Sequence, residues 1–147
     1  MSTKFLYLPQ ILCVHVKRFV SVDKMTQKRF DWLDVPGSLN LNKCLLENAT
    51  CPRLLNWPIV GPNAEQEELQ RAIFNNLPKS PCQYRLVSSV HHHGSSWTSG
   101  HYTAVSRDAS TRFFEFDDAV RNDLDGNWFS EARFAKSGIL YFFELEV

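Results

Sequence analysis

The stretch on which the fold turns runs from Tyr84 to Val105, YRLVSSVHHHGSSWTSGHYTAV. Its first part alternates. In an extended strand, successive side chains point to opposite faces, so Tyr84, Leu86, Ser88 and Val90 are expected on one side. Gly94 to Gly100 is rich in glycine and serine and reads as a loop. HYTAVSR, from His101, then resumes a strand pattern. Strand, loop and returning strand make an antiparallel pair. The same stretch carries His91, His92, His93 and His101, four of the five histidines in the chain.

Working outward, RFFEFDD (Arg112–Asp118) is a further strand, joined to HYTAVSR through the turn-forming DAST. NWFSEARFAKSG (Asn127–Gly138) predicts a short helix capped by Ser130 and stopped by Gly138, and the strand ILYFFELEV follows it. On the N-terminal side, the run from Ile11 to Val16 is apolar on both faces and predicts a buried strand. DKMTQK (Asp23–Lys28) predicts a polar hairpin-like loop. RFDWLDVPG (Arg29–Gly37) predicts a strand, with Phe30 and Trp32 alternating with charged residues, that ends in a turn. Asn40 to Pro62 reads as irregular. A helix is predicted from Asn63, its N-cap with Gln66 in a capping box, through the stripe Leu69, Ala72, Ile73 and Leu77 to Pro78. The second half is thus mostly antiparallel sheet, and the fold class is α+β.

Gross properties narrow the function classes. The chain has 147 residues, enough for one domain with a real core. Lys plus Arg and Asp plus Glu both number 16, so no basic excess points to nucleic acid. No apolar run approaches the roughly 18 residues of a membrane helix. The four cysteines, Cys13, Cys44, Cys51 and Cys82, form no C-x-x-C pair, and a reducing cytoplasm or nucleus is expected. No cofactor is expected.

The histidines admit several chemistries. His91 and His93 share a strand face and could hold zinc with His101, although no H-E-x-x-H accompanies them. As a catalytic base, His101 is the better candidate: Gly100 leaves open space beside its imidazole. Asp117 and Asp118 end the next strand. If the strands pair, a carboxylate on Nδ1 would fix the tautomer and stabilise the imidazolium. The plainer alternatives are that the two aspartates cap a turn and that the histidines are exposed strand residues.

Four motifs in order resemble the C-terminal half of the catalytic domain of the ubiquitin-specific proteases. LPQILCVHVKRF is similar to that family's L-P-x-x-L-x-x-H-L-K-R-F strand. YRLVSSVHHHGSSWTSGHYTAV is similar to its histidine box, FFEFDDAV to the segment with its third triad member, and GILYFFEL to its closing strand. The resemblance implies a partial palm subdomain of a papain-like cysteine protease, spanning residues 1–147 with an unmatched helical insertion near 44–80. His101 matches the catalytic histidine and Asp117 the residue that orients it. Gly100 and Tyr102 match the lining of a narrow channel for the ubiquitin tail. Residues Val20–Lys28 and Ser95–Gly100 match two loops that gate it, with His92 and Gly94 shaping the second.

The family's G-N-x-C-Y-like nucleophile box is not in this sequence. The resemblance therefore implies the His/Asp half of a deubiquitinating cysteine peptidase. Its partners would be ubiquitin or a ubiquitinated protein and an N-terminal half that supplies the thiolate, with no nucleic acid and no membrane. The isolated chain is expected to be inactive. A half-domain should also leave the Ile11–Val16 strand poorly covered on one face or open at a sheet edge. The alternative is a non-catalytic ubiquitin-binding or scaffold module.

Overall fold

The computed structural model describes residues 4–23, 25–50, 82–96 and 98–146. Its centre is an antiparallel sheet. β1 (Phe5–Tyr7) precedes β2 (Ile11–His15), and a hairpin of β3 (Phe19–Val22) and β4 (Met25–Lys28) follows. Next come β5 (Ser38–Asn40), a 3₁₀ turn η1 (Asn42–Cys44) and β6 (Leu45–Thr50). The second half holds β7 (Gln83–His93), β8 (His101–Arg107), β9 (Phe113–Asp117) and β10 (Val120–Leu124). It closes with a 3₁₀ turn η2 (Trp128–Ser130), helix α1 (Ala132–Ser137) and β11 (Gly138–Leu145). The main sheet runs β10-β9-β8-β7-β11-β2, with β5 also paired to β7.

β7 is the spine. One edge pairs with β11, and the other with β5 at Gln83–Arg85 and β8 at Ser88–His93. Its two central serines are where the expected alternation fails. Leu86 pairs with Phe143 and Ser88 with Phe142, so Val87 is an extra residue, a β-bulge. The bulge reverses which face each later residue meets. Ser89 and His91 therefore point into the core, in place of the predicted Ser88 and Val90. Both candidates at the switch are serines, so hydrophobicity does not mark the slip.

One sheet face carries the core: Tyr84, Leu86, Val105, Tyr141, Phe143 and Leu145 pack with Trp128 and Phe134 from η2 and α1. His91 lies within this packing, fully buried, edge-on to Trp128, Phe134 and Tyr141. The expectation of exposed strand histidines is wrong for His91 and for His92, which is 1% exposed. Gly138 is required by close approach, because a Cβ there would overlap the Tyr141 ring and hydroxyl.

Residues Arg29–Gly37 are not the predicted strand. The local strand is β4, one segment earlier, and Phe30 and Trp32 are about half exposed. The cause is Arg18, which is 3% exposed. Its guanidinium donates to the carbonyls of Gly138 (2.7 Å), Ala135 (2.6 Å), Asp31 (2.9 Å) and Arg29 (3.3 Å). Leu33 N–H donates to Ala135 O, and Arg29 N–H to Arg18 O. The backbone polar groups of this segment are thus partly satisfied by an arginine and the end of α1 instead of by a ladder. The arginine's charge also suits the carbonyl end of the helix.

Other boundaries moved as well. The short helix starts after Glu131, not Ser130, and Gly138 is its stop as predicted. The region read as irregular from Asn40 to Pro62 begins at the last residue of β5 and contains η1 and β6, which pairs in parallel with β1. The predicted helix from Asn63 lies outside the described residues. β2 is not buried: it is the sheet edge beyond β11, with Ile11 51% and Val14 37% exposed. Among the described residues no strand pairs with its outer side, so the open apolar sheet edge expected at Ile11–Val16 is present there. No helix among the described residues is long and apolar enough to cross a membrane.

Candidate active site

His101 opens β8 and Asp117 closes β9. Antiparallel pairing of Ala104 with Phe116 and of Arg107 with Phe113 brings these two strand ends together. His101 Nε2 is hydrogen-bonded to Asp117 Oδ1. The geometry predicted from the sequence is present, with one correction. The carboxylate meets Nε2 and not Nδ1, so Nδ1 is the ring nitrogen turned away from it. The hydrogen bond to Asp117 is the main cause of an imidazole pKa raised above its usual value, and the charges of Asp117 and Asp118 add to it.

Asp118 is not the bonded partner. Asp117 pairs with Val120, so Asp118 and Ala119 form a two-residue hairpin turn. Asp118 has φ 50°, a left-handed conformation that aspartate tolerates better than most residues. One ligand atom each from His101, Asp117 and Asp118 lies within 4.8 Å of the others, at an exposed site. The zinc arrangement of His91, His93 and His101 does not form. His91 Nε2 is 2.7 Å from Ser89 Oγ and its Nδ1 is 3.0 Å from Ser137 Oγ, while His93 Nε2 is 2.9 Å from Thr103 Oγ1. Burial, aided by His93, pushes the His91 pKa down to about 3, so that ring is neutral at physiological pH.

The loop before His101 is pinched at its base. Gly94 and Gly100 have φ of 132° and 154°. A Cβ on Gly94 would lie 2.9 Å from Gly100 Cα, and one on Gly100 would overlap His92 Nε2 and the His93 carbonyl. Both positions demand glycine for space as well as for backbone angle. Tyr102 is 55% exposed on the face opposite Thr103, and its ring lies 4.8 Å from the buried ring of His92. Phe19 of β3 also packs on His92, edge-on with ring centres 5.4 Å apart. His92, Gly94, Gly100, His101 and Tyr102 are therefore one neighbourhood, joined by Asp117.

Lys28 is the residue the sequence did not suggest. It is only 8% exposed. Its ammonium donates to the carbonyls of His92 and Gly94 (2.9 Å) and is 3.1 Å from His92 Nδ1. Burial, with Arg18 nearby, lowers its pKa. No local pattern marks a buried lysine there, because its partners lie more than sixty residues away.

No described cysteine is near His101. Cys13 is on β2, three strand spacings from β8, which is about 14 Å at the usual interval. Cys82 precedes β7 at the end opposite His93, the residue that pairs with His101; eleven extended residues are roughly 35 Å. Cys44 N–H bonds to Leu41 O, and Leu41 N–H to Cys82 O, which places Cys44 at that same far end.

The fold and site define a sheet-borne histidine held by a carboxylate, with its second nitrogen open and a glycine-hinged loop beside it. The family profile of ubiquitin carboxyl-terminal hydrolase matches residues 2–143, and the chain belongs to that family. Human "Ubiquitin carboxyl-terminal hydrolase 3" is 30% identical over 138 residues, covering 93% of this chain and 21% of the relative. Mouse "Ubiquitin carboxyl-terminal hydrolase 51" is 27% identical over 118 residues, covering 77% and 14%. The chain thus spans a small part of the curated relatives it matches. Among solved structures, the SAGA DUB module that contains Ubp8, bound to monoubiquitin, superposes with a TM-score of 0.62 at 20% identity, covering 95% of this chain and 24% of that one. The yeast SAGA DUB module gives 0.63 at 19% identity, covering 95% and 26%. The likeness extends to a mostly antiparallel sheet with few helices, consistent with a partial papain-like fold.

Proposed function

We propose that this chain supplies the base and its orienting acid to a deubiquitinating cysteine peptidase, with the thiolate coming from outside these residues. The observation that carries the reading is the His101–Asp117 hydrogen bond on adjacent strands. Asp117 accepts from Nε2–H and leaves Nδ1 to take the proton of a thiol. The thiolate then attacks the carbonyl carbon of the ubiquitin C-terminal glycine, and the tetrahedral oxyanion collapses to an acyl-enzyme. The lysine amine leaves with the proton held by His101. Water, deprotonated by the same ring, hydrolyses the thioester and regenerates the thiol. Asp117 stabilises the imidazolium that appears in both halves.

Gly100 and Tyr102 line the passage for the tail, and His92 and Gly94 shape its second gate. The pinched glycine pair and the absence of side chains on a Gly-Gly tail support that match. The segment near 44–80 is an insertion onto this half. Ubiquitin or a ubiquitinated protein and an N-terminal half are the partners, and the compartment is cytoplasm or nucleus. No observation favours a scaffold role, for which an ordered His–Asp pair has no use.

The test is a titration of the chain, followed by NMR at Gly100, His101 and Tyr102, with intact ubiquitin and with ubiquitin lacking its last two glycines. Perturbation of these three residues by the intact form alone is expected. Equal perturbation by both forms would remove the tail-channel reading.

A further inference from the structure

Lys28 is a buried cation with no carboxylate within ion-pair distance among the described residues. Around its nitrogen stand three acceptor positions: His92 O, Gly94 O and His92 Nδ1. An ammonium has three hydrogens and no lone pair. Matching three hydrogens to three positions makes Nδ1 an acceptor and puts the ring proton of His92 on Nε2. The ring faces of Phe30, 5.1 Å from Nζ, and Phe19, at 6.0 Å, favour the charged form. His92 Nε2 is the atom that a Cβ on Gly100 would strike, so this N–H faces the backbone just before His101.

We propose that Lys28 is a positioning residue that ties the β3–β4 hairpin to the base of the 94–100 loop and holds His92 in its Nε2–H tautomer beside Gly100. The proposal rests on reading these two segments as the gates of the tail channel. It adds that the gates are mechanically one piece. Among the described residues Lys28 links the hairpin to the loop, and its two carbonyl contacts hold the chain where it turns out of β7. The Phe19–His92–Tyr102 rings carry the same constraint across to β8, the strand that His101 opens.

The experiment reads tautomer and loop order in the same 147-residue chain. Long-range ¹H–¹⁵N spectra distinguish a protonated from an unprotonated ring nitrogen at each histidine. The wild type is expected to show His92 with Nε2 protonated and Nδ1 bare. In Lys28→Met, of similar length but without donors, the two nitrogen shifts of His92 should converge. Amide exchange at 94–96 and 98–101 should quicken about tenfold or more, while Ser88 and Ser106, at the other end of the β7–β8 ladder, keep their protection.

An Nδ1–H tautomer in the wild type, donating to an uncharged Lys28 amine, would overturn the proposal. So would unchanged His92 shifts in a folded Lys28→Met. If that variant does not fold, the wild-type tautomer alone decides. The ubiquitin titration is separate: a chain with the expected tautomer that ignores the ubiquitin tail keeps the strut and loses the gate reading.

Discussion

His91 and His101 are ten residues apart in sequence, sit on adjacent strands, and have opposite chemistry. His91 is sealed in the core between two serine hydroxyls, and burial drives its pKa to about 3. His101 stands at the strand end, its side chain 46% exposed, and a carboxylate raises its pKa. Neither residue type nor strand membership separates them. Both rings lie on the same sheet face, since His91 pairs with Thr103 and His101 is two residues from Thr103 along β8. What separates them is what covers that face, α1 and η2 over His91 and open solvent over His101. On the proposed reading, reactivity belongs to the rim of the sheet, and a histidine two residues further along the ladder is packing material.

The contrast can be broken most forcefully by truncation. His91→Ala removes a fully buried ring and the imidazole partner of the Ser89 hydroxyl, while Ser137 keeps its bond to Arg133 O, and should cost roughly 3–5 kcal/mol in urea unfolding. His101→Ala should stay within about 0.5 kcal/mol of wild type. Comparable losses from both would mean the two sites are not distinguished by burial. Similar in kind is Gly138→Ala, where the new methyl meets the Tyr141 ring; overpacking of about 1–3 kcal/mol is expected in the same assay.

Acid pH should sharpen the difference. His91 is neutral when folded and takes a proton near 6.5 when unfolded, so the unfolded chain binds more protons below that pH. Stability therefore falls as pH falls, by about 2 kcal/mol between pH 7 and pH 5 from this residue alone. His91→Gln, which keeps a hydrogen-bonding side chain that does not titrate, should flatten the curve by that amount. An unchanged slope would show that His91 is not the acid-sensitive group.

The smallest expected effect is at His101. Its folded pKa is raised, so its contribution to stability is present below the unfolded value and lost as pH rises through the folded one. Solvent screening keeps that contribution small. It is best seen directly: an NMR titration should place the His101 midpoint above 6.5, and Asp117→Asn should bring it back towards 6.5. A midpoint that does not move would show that the carboxylate is not the cause.

The sheet and the pairing of His101 with Asp117 were legible because both rest on local rules: alternation along strands, and a short turn that returns one strand beside the next. The resemblance picked Asp117 over Asp118, and the register, with Ala104 paired to Phe116, puts Asp117 beside His101. The burial of His91 was not legible. It depends on the bulge at Val87, where two adjacent serines give no apolar signal for either register. Arg29–Gly37 was misread for a related reason: its alternation is real, but the guanidinium of Arg18, more than ten residues earlier, takes its carbonyls. Lys28 could not be found at all, since only the folded chain brings its partners within reach.

The central claim is that His101 serves a thiolate supplied from outside these residues. The direct measurement mixes the chain with a separately produced N-terminal half carrying the family's cysteine box and follows hydrolysis of a ubiquitin C-terminal fluorogenic amide. The account predicts no turnover by the chain alone and turnover by the verified complex. It also predicts a fall of about 10³-fold or more in kcat for His101→Ala within that complex. Steady turnover by the isolated chain that disappears with Cys13→Ala or Cys82→Ala, or a complex whose rate ignores His101→Ala, would contradict it.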